Sequence, residues 1–190
     1  MTEPEALANC LAEAFRRLAR GVADRRSPFH TPALATVAPD GSPEVRTLVL
    51  RGFDPQQRAI RLHSDARSRK VASLRHEPRC ALHFYDAGAA LQLRVAGVAR
   101  IHDADAVAEA AWRASREASR KCYAVEPGPG VPVPAPPPAP ADSAAGWPHF
   151  RVILIRFDRL DFLELAASGH RRAGFSWPAD GAPDAAWLVP

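Results

Sequence analysis

Ser68, Arg69 and Lys70 stand in a row within His63-Ser-Asp-Ala-Arg-Ser-Arg-Lys-Val-Ala-Ser-Leu74, where an alternating strand gives way to a short helix. The first backbone N–H groups of a helix lack intrahelical partners, and the aligned peptide dipoles leave about half a positive charge there. Acidic side chains normally occupy that turn, so an arginine and a lysine are locally unfavourable. They make sense if an anion sits on the turn, where N–H groups, the Ser68 hydroxyl and two cations can converge on it. A phosphate monoester fits best. A solvated, arginine-rich helix start is the competing reading, and this stretch alone does not decide between them.

Upstream lies Arg46-Thr-Leu-Val-Leu-Arg51. On a strand, Arg46, Leu48 and Leu50 share one face, and Thr47, Val49 and Arg51 the other. A charge among core-facing leucines is costly unless compensated, so Arg46 needs an anion. The one nearby carboxylate on its face is Glu44. Gln92, which opens Gln-Leu-Arg-Val-Ala-Gly97, is a further polar residue in a strand that reads as buried. His30, His76, His83 and His102 lack metal-binding spacing and read as surface or satisfied strand histidines. Cys10, Cys80 and Cys122 form no C-x-x-C pair, so neither a disulfide framework nor a zinc site is indicated. The tryptophans lie apart, with no period suggesting a stacking platform.

The elements that must position these residues follow from periodicity and turn chemistry. Leu7, Leu11, Phe15 and Leu18 recur at helical spacing near the start of the chain. Strands are expected over 33–38 and 44–51 around an Asp-Gly turn, then over 58–64, 79–86 and 90–102, with 52–57 as a turn. Ser68 is placed to cap a short helix reaching about residue 75. A second long helix is expected over 105–122, with Val107, Ala110, Ala111, Ala114 and Ala118 on a small-residue face. Residues 126–146 form a proline-rich insertion suited to extended, exposed chain. Strands return at 149–157 and 159–165, and a last hairpin pairs 171–177 with 186–189. Tight turns between most strands argue for antiparallel pairing, and closure would protect exposed edges. The expected fold is α+β, an antiparallel barrel of six or so strands with flanking helices.

The 190 residues suit a single domain, 1–190. Net charge is +4, with arginine supplying nearly all of the basic residues. No run of about 18 apolar residues is present to span a membrane, and the start of the chain lacks signal-peptide character. A cytoplasmic location is the resulting expectation.

Taken in order, Arg46–Arg51, the stretch 62–74, and Leu91–Gly97 resemble the pyridoxamine 5′-phosphate oxidase family of FMN-binding split barrels, and 149–165 resembles its penultimate strands. The match covers roughly residues 30–165 and looks more like the broader FMN-binding branch than the vitamin B6 oxidases. The resemblance implies FMN as cofactor. Arg46, Arg69 and Lys70 would grip its phosphate with Ser68 assisting, and Thr47, Leu48 and Val49 would lie along the ring. His63 and Ser64 stand where the family has an aromatic-Thr pair, with Ser64 keeping a hydroxyl for the phosphate end. Arg51 replaces the usual lysine near flavin or substrate. Gln92 would reach the ring edge across a homodimer interface, and Ser119 and Arg120 would contribute from there. The last hairpin, Gly-His-Arg-Arg-Ala-Gly-Phe175, departs from the substrate-placing segment of the B6 enzymes: Gly174 stands where an arginine is expected. His170 and Arg171 could still touch a substrate, with an exposed hairpin end as the plainer reading. The implied function is an FMN-dependent oxidoreductase acting on an unidentified small molecule, with no catalytic residue assigned. The alternative is a flavin- or haem-binding or redox-sensing protein without robust turnover. A nucleic-acid-binding barrel is disfavoured, because the basic residues alternate with a buried face instead of interleaving with exposed aromatics.

Overall fold

The computed structural model describes residues 2–166, 169–178 and 181–190. The chain opens with helix α1 (Glu3–Ala23), started by a reciprocal capping box between Thr2 and Glu5. Its inner stripe of Leu7, Cys10, Ala14 and Leu18 joins the main core. Among the described residues nine strands follow: β1 (Ala33–Val37), β2 (Pro43–Thr47), β3 (Leu50–Asp54), β4 (Ala59–Asp65), β5 (Arg79–Asp86), β6 (Leu91–His102), β7 (Phe150–Glu164), β8 (Arg171–Ser176) and β9 (Asp184–Leu188). Helix α2 (Arg69–His76) links β4 to β5, and α3 (Ala106–Ala114) with α4 (Glu117–Lys121) precedes the proline-rich segment.

All recorded pairings are antiparallel, in the order β2-β1-β5-β6-β7-β4-β3, with β8 and β9 extending from β7. The path begins and ends on strands that are neighbours in the chain. No ladder among the described residues joins β2 to β3, and this is where the barrel is split. The expected strand over 44–51 is therefore two strands. Thr47 pairs with Ala33 of β1, whereas Leu50 pairs with Leu62 of β4, and Leu48 and Val49 bridge the gap. The expected turn over 52–57 begins later, because β3 runs on to Asp54. Conversely, the two strands expected over 149–165 are one fifteen-residue strand, β7, bent by a register shift opposite Ala96 and Gly97.

Inward residues such as Leu34, Leu62, Leu82, Leu93, Ile153 and Phe157 fill the main core. A second, smaller core lies on the outer face, where Ala108 and Ala111 of α3 pack on Phe150 and Val152. Trp112, Tyr123 and Trp147 close around it, with Trp112 and Trp147 5.7 Å apart, so two tryptophans distant in sequence share one aromatic cluster. The helix expected over 105–122 breaks at Ser115 and Arg116, both extended. The Ser115 hydroxyl bonds back to the Ala111 carbonyl at 2.8 Å, a pairing that competes with helix continuation. Its buried face is Ala108 and Ala111; Ala110 and Val107 are exposed.

Residues 128–139 of the proline-rich segment are mostly exposed and outside any ladder. Both ends of the segment return to the turn before α2. Arg67 pairs with Glu126 at 2.6 Å, and the Ala66 N–H donates to the His149 carbonyl at 2.7 Å.

Candidate functional site: a cationic cradle and a neighbouring cleft

One end of the barrel is built from β1, β2, β4 and the start of α2. On β2, Glu44 and Arg46 turn partly inward while Val45 and Thr47 face solvent. The Arg46 guanidinium donates to the Thr36 hydroxyl at 2.7 Å, to the Leu34 carbonyl at 3.3 Å and to a Glu44 carboxylate oxygen at 2.8 Å. The anion that Arg46 requires is thus Glu44. The same carboxylate meets Arg69 at 3.1 Å, and the Ser73 hydroxyl lies 3.2 Å from it.

Beside this pair runs a relay of donors. Lys70 Nζ donates to the Ser64 hydroxyl at 3.3 Å, Ser64 Oγ lies 3.0 Å from Ser68 Oγ, and Ser68 donates to the Asp65 carbonyl at 2.7 Å. Ser68 holds the N-cap position of α2, but its side chain caps nothing. The expected side-chain cap is therefore absent: the hydroxyl is turned toward the carbonyl of Asp65, three residues back, and takes no proton from the first N–H groups of α2. Among the described residues Lys70 meets no carboxylate within ion-pair distance. Burial and the adjacent Arg46 push its ammonium below the usual lysine range, with Asp65 and Glu44 opposing. A half-buried cation held down by desolvation and a neighbouring cation is a group an incoming anion would relieve. Arg46, Arg69, Lys70, Ser64 and Ser68 are therefore brought together, and the donor set suits a phosphate.

His63 and Arg51 lie elsewhere. On β4, Ser64 turns inward and His63 outward, so consecutive residues serve opposite faces of the sheet. Arg51 is the extra residue in a bulge between Leu50 and Gly52, a device that re-aims a side chain. Both line a second cleft of about 400 Å³, together with Arg25, His30, Arg61, Ser115, Arg116 and Ser119. Among the described residues, Arg51 Nε, Arg61 Nε and His63 Nε2 are buried there without a hydrogen-bond partner. Burial, with Arg51 and Arg61 alongside, pushes the His63 imidazole down to about 3, so it is neutral at ordinary pH. His30 Nδ1 lies 2.8 Å from the Gly21 carbonyl, which can only accept, so that nitrogen carries the proton.

The remaining expected residues are dispersed. Thr47 is exposed and Val49 half-buried at the split, with Leu48 packed against the core. Gln92 lies on the outer face of β6, its carbonyl 3.1 Å from His83 Nε2, and within one chain it does not reach the cradle. Ser119 lines the cleft, but Arg120 does not. Its guanidinium is spent on the Trp112 and Arg113 carbonyls at 3.0 and 2.9 Å, tying α4 to α3. In the last hairpin His170 is exposed and Arg171 pairs with Glu164. Glu44, Ser73, Arg61 and Arg116 were not among the expected site residues. For Arg61 a signal existed in its alternation with His63; for Arg116 none did, because its position depends on the helix break.

The family model described as the FMN-binding domain of pyridoxamine 5′-phosphate oxidase matches residues 11–103. A pyridoxine/pyridoxamine 5′-phosphate oxidase of Arabidopsis thaliana is 31% identical in a 164-residue alignment that covers 81% of this chain and 82% of that protein. Among solved structures, a pyridoxamine 5′-phosphate oxidase-related, FMN-binding protein of Nostoc punctiforme superposes with a TM-score of 0.76 at 24% identity, covering 94% of this chain and 96% of its own. The protein PhzG of Burkholderia lata, solved with tetrahydrophenazine-1-carboxylic acid, gives 0.71 at 17% identity over 100% and 94%. These likenesses carry the split-barrel fold expected from the sequence.

Proposed function

The chain belongs to the pyridoxamine 5′-phosphate oxidase family of FMN-binding proteins, and from that premise we propose that it is an FMN-dependent oxidoreductase acting on a small anionic molecule. The observation that carries the cofactor assignment is Lys70, a half-buried ammonium beside Arg46 with a serine hydroxyl as its recorded hydrogen-bond partner. Arg46, Arg69 and Lys70 against the single carboxylate of Glu44 leave a balance of about two positive charges, complementary to the near-dianionic phosphate of FMN at neutral pH. Ser64 and Ser68 would donate to the same group, and the split at Thr47, Leu48 and Val49 would receive the ring.

When bound, the flavin supplies the two-electron chemistry. The chain's residues position and tune it. The cleft lined by Arg51, Arg61 and Arg116, across β4 from the cradle, would orient an anionic group of the substrate, and neutral His63 can accept a hydrogen bond there. Arg51, fixed by its bulge, would stabilise negative charge nearby. Gln92 and the outer sheet face would complete the pocket in a homodimer, with FMN at the subunit interface. Residues 1–190 would act as one domain.

Two measurements test this reading. The mass of the cofactor released by gentle denaturation should be that of FMN, and the apo-protein should bind FMN more tightly than riboflavin. Equal affinity for the two flavins would end the cradle assignment. Anaerobic reduction by a nicotinamide donor, followed by oxygen or acceptor screening, separates an enzyme from a flavin binder or sensor.

A further inference from the structure

We propose that Glu44 is an internal stand-in for the cofactor's phosphate, so that FMN binding exchanges one anion for another at the cradle; this rests on the FMN reading above. Glu44 gathers three donors suited to a phosphate. One oxygen lies 2.8 Å from the Arg46 guanidinium and 3.2 Å from the Ser73 hydroxyl, and the other lies 3.1 Å from Arg69. The Glu44 side chain is only 17% exposed and that of Arg46 21%, so solvent does little to neutralise either.

Two consequences follow. With no phosphate present, Glu44 compensates a cation that would otherwise be partly buried and unpaired, which stabilises the apo-protein. A phosphate approaching Arg46 and Arg69 meets a like charge already holding them. It must displace the carboxylate or tolerate it at close range, and either weakens binding. Lys70 lies outside the Glu44 contacts, bonded to Ser64, and offers the phosphate a first foothold. Glu44 therefore sets cofactor affinity through Arg46 and Arg69. A purely orienting role would make the opposite prediction, since losing Glu44 would then loosen the arginines and weaken FMN.

The test is Glu44→Gln, which keeps size and an acceptor oxygen but removes the charge. FMN and riboflavin affinities are measured by fluorescence quenching, and apo-protein stability by thermal melting. FMN should bind about tenfold more tightly, equivalent to about 1.4 kcal/mol, with riboflavin unchanged and the apo-protein melting lower. An FMN affinity that is unchanged or weaker overturns the proposal. Should Glu44→Gln fail to fold, Glu44→Asp keeps the charge but shortens its reach. FMN should then tighten by a smaller factor, and unchanged or weaker binding again overturns the proposal. A wild-type protein that does not prefer FMN to riboflavin overturns the cradle assignment itself, whereas a preference that Glu44→Gln fails to sharpen overturns only the role of Glu44.

Discussion

Gly97 sits so close to Arg156 that a Cβ on the glycine would lie 2.2 Å from the arginine's carbonyl oxygen, and 2.5 Å from the Phe157 Cα. The contact falls at the register shift between β6 and β7, where Gly97 opposes Phe157 and Ala96 opposes Arg159. The glycine ending the Gln92–Gly97 stretch is thus explained by the close approach of the paired strands at their bulge, without any contact to a ligand. Gly97→Ala must push apart two central strands. The expected cost is about 3 kcal/mol or more, a fall of roughly 6–12 °C in melting temperature for a chain of this size. A melt matching wild type would contradict the geometry.

His63 makes stability depend on acid. Its imidazole titrates near 3 in the folded protein, against an ordinary value of 6.5. Above pH 6.5 both folded and unfolded forms are neutral and nothing is at stake. As pH falls through 6.5 the unfolded chain takes up a proton that the folded one refuses, so stability drops by up to about 1.4 kcal/mol per pH unit until near pH 3. Urea unfolding of wild type and His63→Gln between pH 7 and 4 isolates this contribution from the carboxylates. The difference between the two should shift steadily in favour of the variant as pH falls; parallel curves would show that His63 charges freely.

The three thiols should differ sharply in reactivity. Cys10 and Cys80 are buried, and burial pushes both thiols up, Cys80 to about 12, whereas Cys122 is exposed. Since the thiolate is the reacting species, brief maleimide treatment of the native protein should add one label, and Cys122→Ser should abolish it. Denaturation should expose all three. Two labels on native protein would mean that α1 or β5 opens readily.

Much of this arrangement was legible along the chain. The alternation of 58–64, 79–86 and 90–102 yields strands close to those bounds, and the clustering of Ser68, Arg69 and Lys70 marks the cradle. The break at Leu48 and Val49 was not legible, because alternation runs unbroken through Arg46–Arg51. What ends β2 and begins β3 is the change of partner from Ala33 to Leu62, a tertiary fact. His63 looked like a companion of Ser64, yet a strand places neighbours on opposite faces, and its companions are Arg61 and Arg51 in the cleft. Glu44 was visible as the one nearby carboxylate, but its simultaneous hold on Arg69 and Ser73 depends on how α2 docks over β1.

Arg67 supplies the last prediction. Its guanidinium clasps Asp65 with two hydrogen bonds, of 3.0 and 2.8 Å, and reaches the Tyr123 and Val125 carbonyls at 3.2 and 3.0 Å. It also pairs with Glu126, and the carboxylates beside it hold its pKa above the usual arginine value. One side chain thus fastens the base of the proline-rich segment to the turn whose next residue, Ser68, begins the cradle. The segment beyond that base is exposed and supports little. Replacing 128–142 by a short Gly-Ser linker should leave folding and FMN content unchanged, and loss of soluble protein would refute this. Arg67→Ala should behave otherwise. Asp65, whose side chain is 7% exposed, would lose its paired cation at a cost of about 3 kcal/mol. Loosening of the turn should also weaken FMN more than riboflavin, because Ser64, Ser68 and Lys70 are strung from it. If Arg67→Ala melts lower but binds the two flavins with their wild-type ratio, the turn holds the fold without shaping the cradle.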